Sequence, residues 1–295
     1  MEGHMKRNSV KILIILLAVS ILFSGCINPD PKDEGTTAPV HVDEIDKTFI
    51  GSYQTMKYTY LTNVSPASVT TNLNPTYLIL ANKTNVLDDA YAPTQMTKLT
   101  CATLQPDRTY ELDSRAATAL YAMLFEMQAA GVSDVMVASA YRSYEYQVNL
   151  YNKYLVFEKS CISDDARRLF GEEYIKANYL DKKIFKLTLE DAQTVVQSYS
   201  ALPGQSEHQT GLCIDFITAE MGTELTEAFE NTQAFAWLAE NAYKFGFILR
   251  YPKGKEDITG YTYEPWHYRF VGREAATDIF VGNITLEQYL QLTTE

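Results

Sequence analysis

Histidine is scarce in this chain, with 4 in 295 residues, and cysteine (4) and tryptophan (2) are as rare. Positive charge is also under-represented, since 25 Lys and Arg stand against 37 Asp and Glu for a formal net charge of −12. Affinity for a phosphate backbone comes from clustered Lys and Arg that displace counterions. No segment concentrates them, which argues against nucleic acid as a partner. No period of roughly 20 to 50 residues recurs, so a solenoid or propeller is excluded. The apolar run at 12–23 falls short of the ~20 residues that span a bilayer comfortably.

That run has a different character. Lys6, Arg7 and Lys11 precede it and Ser24-Gly25-Cys26 closes it, the layout of a secretory signal with a small-residue cleavage site. Cys26 completes a bacterial lipobox, with Phe23 where Leu is usual, and is the expected lipidation site. An uncleaved membrane anchor is the alternative, and either reading places the rest of the chain outside the cytoplasm. Pro29, Pro31, Gly35 and Pro39 among several acids then describe a solvated tether. The expected organisation is a lipoprotein-type signal at 1–26, a tether at 27–47, an N-terminal extension at 48–76 and a catalytic domain at 77–295. The part after the tether, about 220 to 245 residues, suffices for one domain with a sizeable core.

Hydrophobic periodicity predicts an α+β fold, with helices packed on a small, antiparallel-dominated sheet. A helix is expected over 113–128, where Ala116, Leu120, Met123, Leu124 and Met127 recur on one face, capped by Asp113 or Ser114. A strand over 135–140 should deliver Arg142 at its exit. A helix from Ser143 or Tyr144 towards Phe157 carries Gln147, and Thr188 can cap another. Strands are expected over 212–217, 247–250 and 266–271, with a helix from Asn231 between the first two. Thr285-Leu286-Glu287-Gln288 reads as a capping box opening the last helix.

Chemistry concentrates in two places. Ser206-Glu207-His208 runs on to Asp215, and Glu264-Pro265-Trp266-His267 stands some fifty residues later. Catalytic zinc takes three protein ligands of the His, Asp, Glu or Cys type and leaves a position for water. His208, Asp215 and His267 supply that set, and Glu264 is placed to act as a general base beside it. Arg142 is the natural electrophilic partner, because a guanidinium stays charged and offers forked donors. The two residues Cys213 and Asp215 share a strand face, so Cys213 is either a further ligand or a small buried hydrophobe beside the metal. In an oxidising compartment Cys101 and Cys161 are the candidates for a disulfide.

These motifs, with Ser139-Ala140-Tyr141-Arg142-Ser143 and Gln147 upstream, resemble the VanY-type D-alanyl-D-alanine carboxypeptidases from about Tyr77 to about Gly272. The resemblance implies a zinc enzyme that trims peptidoglycan stem peptides. It also implies an oxyanion role for Arg142, substrate hydrogen bonds from Ser206 and Gln147, and an opening strand at 78–83. The stretch from Cys161 to Leu202 looks longer than the family's usual connection and is expected to form a lid or rim. A D,D- or L,D-carboxypeptidase on stem peptides is the expected activity. A wall endopeptidase and a non-catalytic zinc-containing wall-binding module are the alternatives. The expected setting is a monomer, lipid-anchored to the outer face of the bacterial cell membrane.

Overall fold

A computed structural model describes residues 45–64 and 74–294 of the chain. The expected signal, Cys26 and most of the tether lie outside them. A short antiparallel pair, β1 (Met96–Lys98) and β2 (Glu111–Asp113), leads into α1 (Ser114–Ala129). After α1 come β3 (Val135–Ser139), α2 (Tyr144–Glu158), α3 (Asp164–Phe170) and α4 (Leu189–Tyr199). The longer elements that follow are β4 (Cys213–Thr218), α5 (Gln233–Asn241), β5 (Phe247–Leu249), β6 (His267–Phe270), α6 (Arg273–Gly282) and α7 (Leu286–Thr294). Strands β3-β4-β6-β5 form one sheet, antiparallel at every step. This is the expected α+β class.

Local chemistry sets several helix ends. The Asp113 carboxylate accepts from Arg115 N and Ala116 N, Ser143 Oγ from Tyr146 N, and Thr188 Oγ1 from Asp191 N. Each satisfies amide groups that lack a partner in the first turn. The capping box forms reciprocally, with Thr285 N donating to Gln288 Oε1 at 3.0 Å and Gln288 N to Thr285 Oγ1 at 3.3 Å.

The sheet separates core from chemistry. Ile214, Phe216, Tyr268, Phe270 and Phe247 pack with Leu120, Met123 and Met127 of α1 and Leu238 of α5 in the main core. Complete burial of each such side chain contributes about 1.5–3 kcal/mol. Side chains alternate along a strand, so Cys213 and Asp215 on β4 and His267 and Arg269 on β6 share the opposite face. A second core joins Phe49, Ile248 and Val271 to α6 and α7, and a third lies in the 161–202 stretch around Ile175, Tyr179 and Val195. That stretch is held to α2 by Tyr199, whose ring meets Tyr154 edge-on and whose hydroxyl donates to Glu158.

The N-terminal extension is part of the same packing. Gly51 N donates to Asp278 Oδ2, the Tyr58 and Thr277 hydroxyls bond at 2.8 Å, and the Glu126 carboxylate of α1 accepts from Leu61 N and from Thr62.

Several expectations need correction. The segment at 78–83 is not an opening strand: Pro75–Leu78 is a 3-10 turn, and residues 79–83 pair with no strand among the described residues. The helix expected from Asn231 starts at Gln233, because Thr232 Oγ1 caps it through Phe235 N, while Glu227–Asn231 is a separate 3-10 turn. Cys101, Cys161 and Cys213 are all free. Cys101 packs against the main core and Cys161 sits past the end of α2 with its Sγ 3.9 Å from Phe157 O, so the expected bridge is absent. No helix among the described residues is long and apolar enough to cross a membrane.

Candidate metal centre

The site is assembled where β4, β6 and the turn before β4 meet. The turn Glu207–Thr210 closes at Gly211 with φ of 68°, and the Thr210 hydroxyl donates to Glu207 O while accepting from Leu212 N. This left-handed closure, easy for glycine, folds His208 back over the strand it leads into. Asp215 pairs directly opposite His267 across the β4–β6 ladder, so their side chains meet. Ser139 pairs with Asp215 on the other side, and Arg142 N donates to His208 O at 3.1 Å. The residue at the exit of β3 is thereby tied to the first histidine.

Three donor atoms converge. His208 Nδ1 donates to Ala140 O at 2.6 Å, which leaves Nε2 as its lone-pair nitrogen, 3.1 Å from Asp215 Oδ2. His267 Nδ1 lies 2.8 Å from Asp215 Oδ1 and 3.8 Å from Glu264 Oε2. Zinc–ligand distances of about 2.0–2.2 Å in a tetrahedron correspond to donor separations of roughly 3.3–3.5 Å. Each imidazole nitrogen therefore stands somewhat closer to an Asp215 oxygen than a shared zinc would set it, and the chemistry of the three side chains suits that metal.

The electrostatics point the same way. Burial resists ionisation of Asp215, but His208 and His267 hold its carboxyl well below the usual range. Burial and the Arg142 charge push the His208 imidazole down, yet Asp215 and Cys213 outweigh them and leave it raised. His267 is raised further, against burial, by Cys213, Asp215 and Glu207. An anionic enclosure that draws protons onto two imidazoles is one that a divalent cation would satisfy.

Cys213 is fully buried, and its Sγ lies within 4.8 Å of a ring nitrogen of His208 and one of His267. Burial raises its thiol, but the two imidazoles bring it down to about 7. It is thus a donor in reach of the site as well as a small buried residue.

The other expected residues divide. Glu264 is held by its own backbone, its N–H donating to Tyr251 O and its carbonyl accepting from His267 N, which turns its carboxylate towards the ligands. Arg142 Nε is buried without a partner. Gln147 is engaged elsewhere, since its amide nitrogen donates to Ala201 O at 2.8 Å and reaches Ser200 Oγ at 3.5 Å; its Oε1 is buried and unpaired. Ser206 is buried at the start of the turn without capping it. Trp266 packs as a wall against the main core.

Sequence reasoning missed a charged cluster behind the candidate site. Glu207 Oε1 accepts from Arg250 Nε at 2.8 Å and Arg269 Nη1 at 2.7 Å, and the two arginines are completely buried. Arg250 also forks onto Glu287 of α7 at 2.9 and 2.6 Å, while Arg269 donates to Tyr77 O and Ile79 O. The one available signal was an arginine inside or at the end of an otherwise apolar strand. Tyr251 stacks on His267 with centroids 4.9 Å apart.

Two imidazoles meeting one buried carboxylate, with a second carboxylate beside them on a small antiparallel sheet, form the kind of centre that metallopeptidases use. Residues 109–273 match the family described as VanY, D-alanyl-D-alanine carboxypeptidase, and the chain belongs to that family. A D-alanyl-D-alanine carboxypeptidase of Enterococcus faecalis (strain ATCC 700802 / V583) is 43% identical over 119 residues, 40% of this chain and 42% of the relative. Curated relatives are matched over only 32% to 54% of their own length. The solved LdcB LD-carboxypeptidase is similar with a TM-score of 0.57 and 33% identity, over 74% of this chain and 87% of that one. The D,D-pentapeptidase VanY from a VanB-type resistance cassette, solved in complex with Zn(II), gives 0.53 and 32% over 73% and 99%.

Proposed function

We propose that this protein is a zinc-dependent carboxypeptidase that removes the C-terminal D-alanine from peptidoglycan stem peptides. The approach of His208 Nε2 at 3.1 Å and His267 Nδ1 at 2.8 Å to the two oxygens of Asp215, with Glu264 3.8 Å from His267 Nδ1, carries the reading. Family membership supports it, as do neighbours described as LD-carboxypeptidase and D,D-pentapeptidase.

His208, Asp215 and His267 would hold the metal. When bound, zinc polarises a carbonyl and lowers the pKa of a water. Glu264 then takes the proton of the attacking water and hands it to the leaving amine as the peptide bond breaks. The Arg142 guanidinium stabilises negative charge on the carbonyl oxygen, and its unpartnered buried Nε marks donor capacity the protein leaves unused. Ser206 and the unpaired Gln147 Oε1 are the substrate's hydrogen-bonding partners in this scheme. The signal, the lipobox at Cys26 and the Pro-rich tether support a place outside the cytoplasm, anchored by lipid to the membrane that faces the wall.

The test is mass analysis of defined tetrapeptide and pentapeptide stems after incubation with the zinc-loaded protein. Loss of one D-alanine from either stem, abolished by a chelator and restored by zinc, is expected, and the stem that is cut sets L,D against D,D specificity. Blocking the terminal carboxylate as an amide should slow cleavage by at least ~10-fold, because buried groups that read it would be left unpaired. Equal cleavage of free and amidated stems would overturn the carboxypeptidase reading in favour of an endopeptidase.

A further inference from the structure

Two buried atoms in the centre lack hydrogen-bond partners and face each other: His267 Nε2 and Glu207 Oε2, 3.5 Å apart. Buried polar atoms are rarely left unpaired, and a movement of a few tenths of an ångström would join these two. The opposite edge of the ring is the one that looks at Asp215 and Glu264. A metal-bound imidazole donates its second N–H to a carboxylate or carbonyl, which fixes both tautomer and ring orientation. His208 already obeys this rule through Ala140 O.

We propose that Glu207 is the positioning residue for His267: its Oε2 accepts Nε2–H and so keeps the lone pair on Nδ1, aimed at the metal. The proposal rests on the zinc-site reading. The arrangement of Glu207 makes it specific. Its Oε1 is taken by Arg250 and Arg269, so Oε2 is the oxygen left to face the ring. The arginines are held in turn by Glu287 of α7 and by the carbonyls of Tyr77 and Ile79. These outer anchors lie outside the matched segment 109–273. The C-terminal helix therefore acts on a metal ligand through the sequence Glu287, Arg250, Glu207, His267.

The decisive measurement is ring-nitrogen NMR of the full chain, labelled with ¹⁵N-histidine and loaded with zinc. It should show His267 protonated at Nε2 and not at Nδ1. Zinc affinity, measured by competition with a chelator, should fall ~10–100-fold in Glu207→Gln. Glu287→Gln should give a smaller loss of the same sign. Glu126→Gln, at a buried carboxylate that ties the N-terminal segment to α1, should leave zinc affinity unchanged and so serves as the control for general destabilisation. Protonation at Nδ1 in the zinc-loaded wild type, or Glu207→Gln binding zinc within about 3-fold of wild type, overturns the proposal. Where Glu207→Gln does not fold, the Nε2–H proton of zinc-loaded wild type decides the matter: a strongly downfield resonance marks its bond to a carboxylate, and an unshifted one overturns the proposal. If the protein takes up zinc and cleaves stems yet shows the opposite tautomer, only this inference fails. If wild type binds no zinc, the functional reading falls with it.

Discussion

Glu264 and His267 are three residues apart, and the proposal gives them different parts. Both belong to one turn, in which the Glu264 carbonyl accepts from His267 N, so an imidazole and a carboxylate are delivered side by side. Burial pushes the Glu264 carboxyl up to about 7, against the pull of His267, His208 and Arg142. A carboxylate balanced between its two protonation states suits taking up and returning a proton. Glu264→Gln should therefore retain one zinc per chain while kcat falls by ~10²-fold or more, whereas His208→Ala should lose the metal. Zinc content and single-substrate kinetics on the same preparations check both halves. A Glu264→Gln enzyme within a few-fold of wild-type kcat would remove Glu264 from the chemistry.

At the scale of elements, the site depends on strand register. Tyr268 and Phe270 face the core while His267 and Arg269 face the candidate site, so a slip of one residue would exchange them. Register at the open side of β6 is maintained by β5, and β5 is entered through Gly246. Its φ is +86°, and a Cβ there would come within 2.8 Å of Phe270 Cε2 and 3.0 Å of Arg273 N. Gly246→Ala combines left-handed strain with a clash against backbone, so we expect a loss of about 1–3 kcal/mol in stability. Urea unfolding with an unchanged slope and a lowered midpoint would report it. A midpoint equal to wild type would show that the turn relaxes freely.

For the whole molecule, the proposal joins an acidic domain to a membrane by a tether. The net charge of −12 offers no general attraction to an anionic lipid surface, so retention at a membrane, as proposed, would depend on the lipid at Cys26. Cys26→Ser should leave the signal uncleaved or release the protein from the membrane fraction, with cleavage of stem peptides unchanged. Fractionation combined with intact-mass measurement separates these results from wild type, whose mass should carry the lipid. A Cys26→Ser protein processed and retained as wild type would refute lipid anchoring and leave the catalytic reading intact.

By itself the sequence determined whatever depends on neighbours a few residues away or on residue type alone. Asp113, Ser143, Thr188 and the Thr285/Gln288 pair cap their helices because a cap spans only two or three residues. The candidate site was legible because histidine is scarce and zinc demands particular donors, and folding does bring His208, Asp215 and His267 together. Only the tertiary structure decided what depends on distant partners. Residues 79–83 are left unpaired because a strand needs a neighbour, and none of the described strands lies along them. Cys101 and Cys161 stay free because the fold seats the first against the main core and the second past the end of α2. Glu207 meets Arg250, Arg269 and His267, and Arg250 meets Glu287, across separations of 37 to 62 residues. Local pattern carries no information about such pairs, because a buried charge is tolerable only beside the opposite charge that folding brings to it.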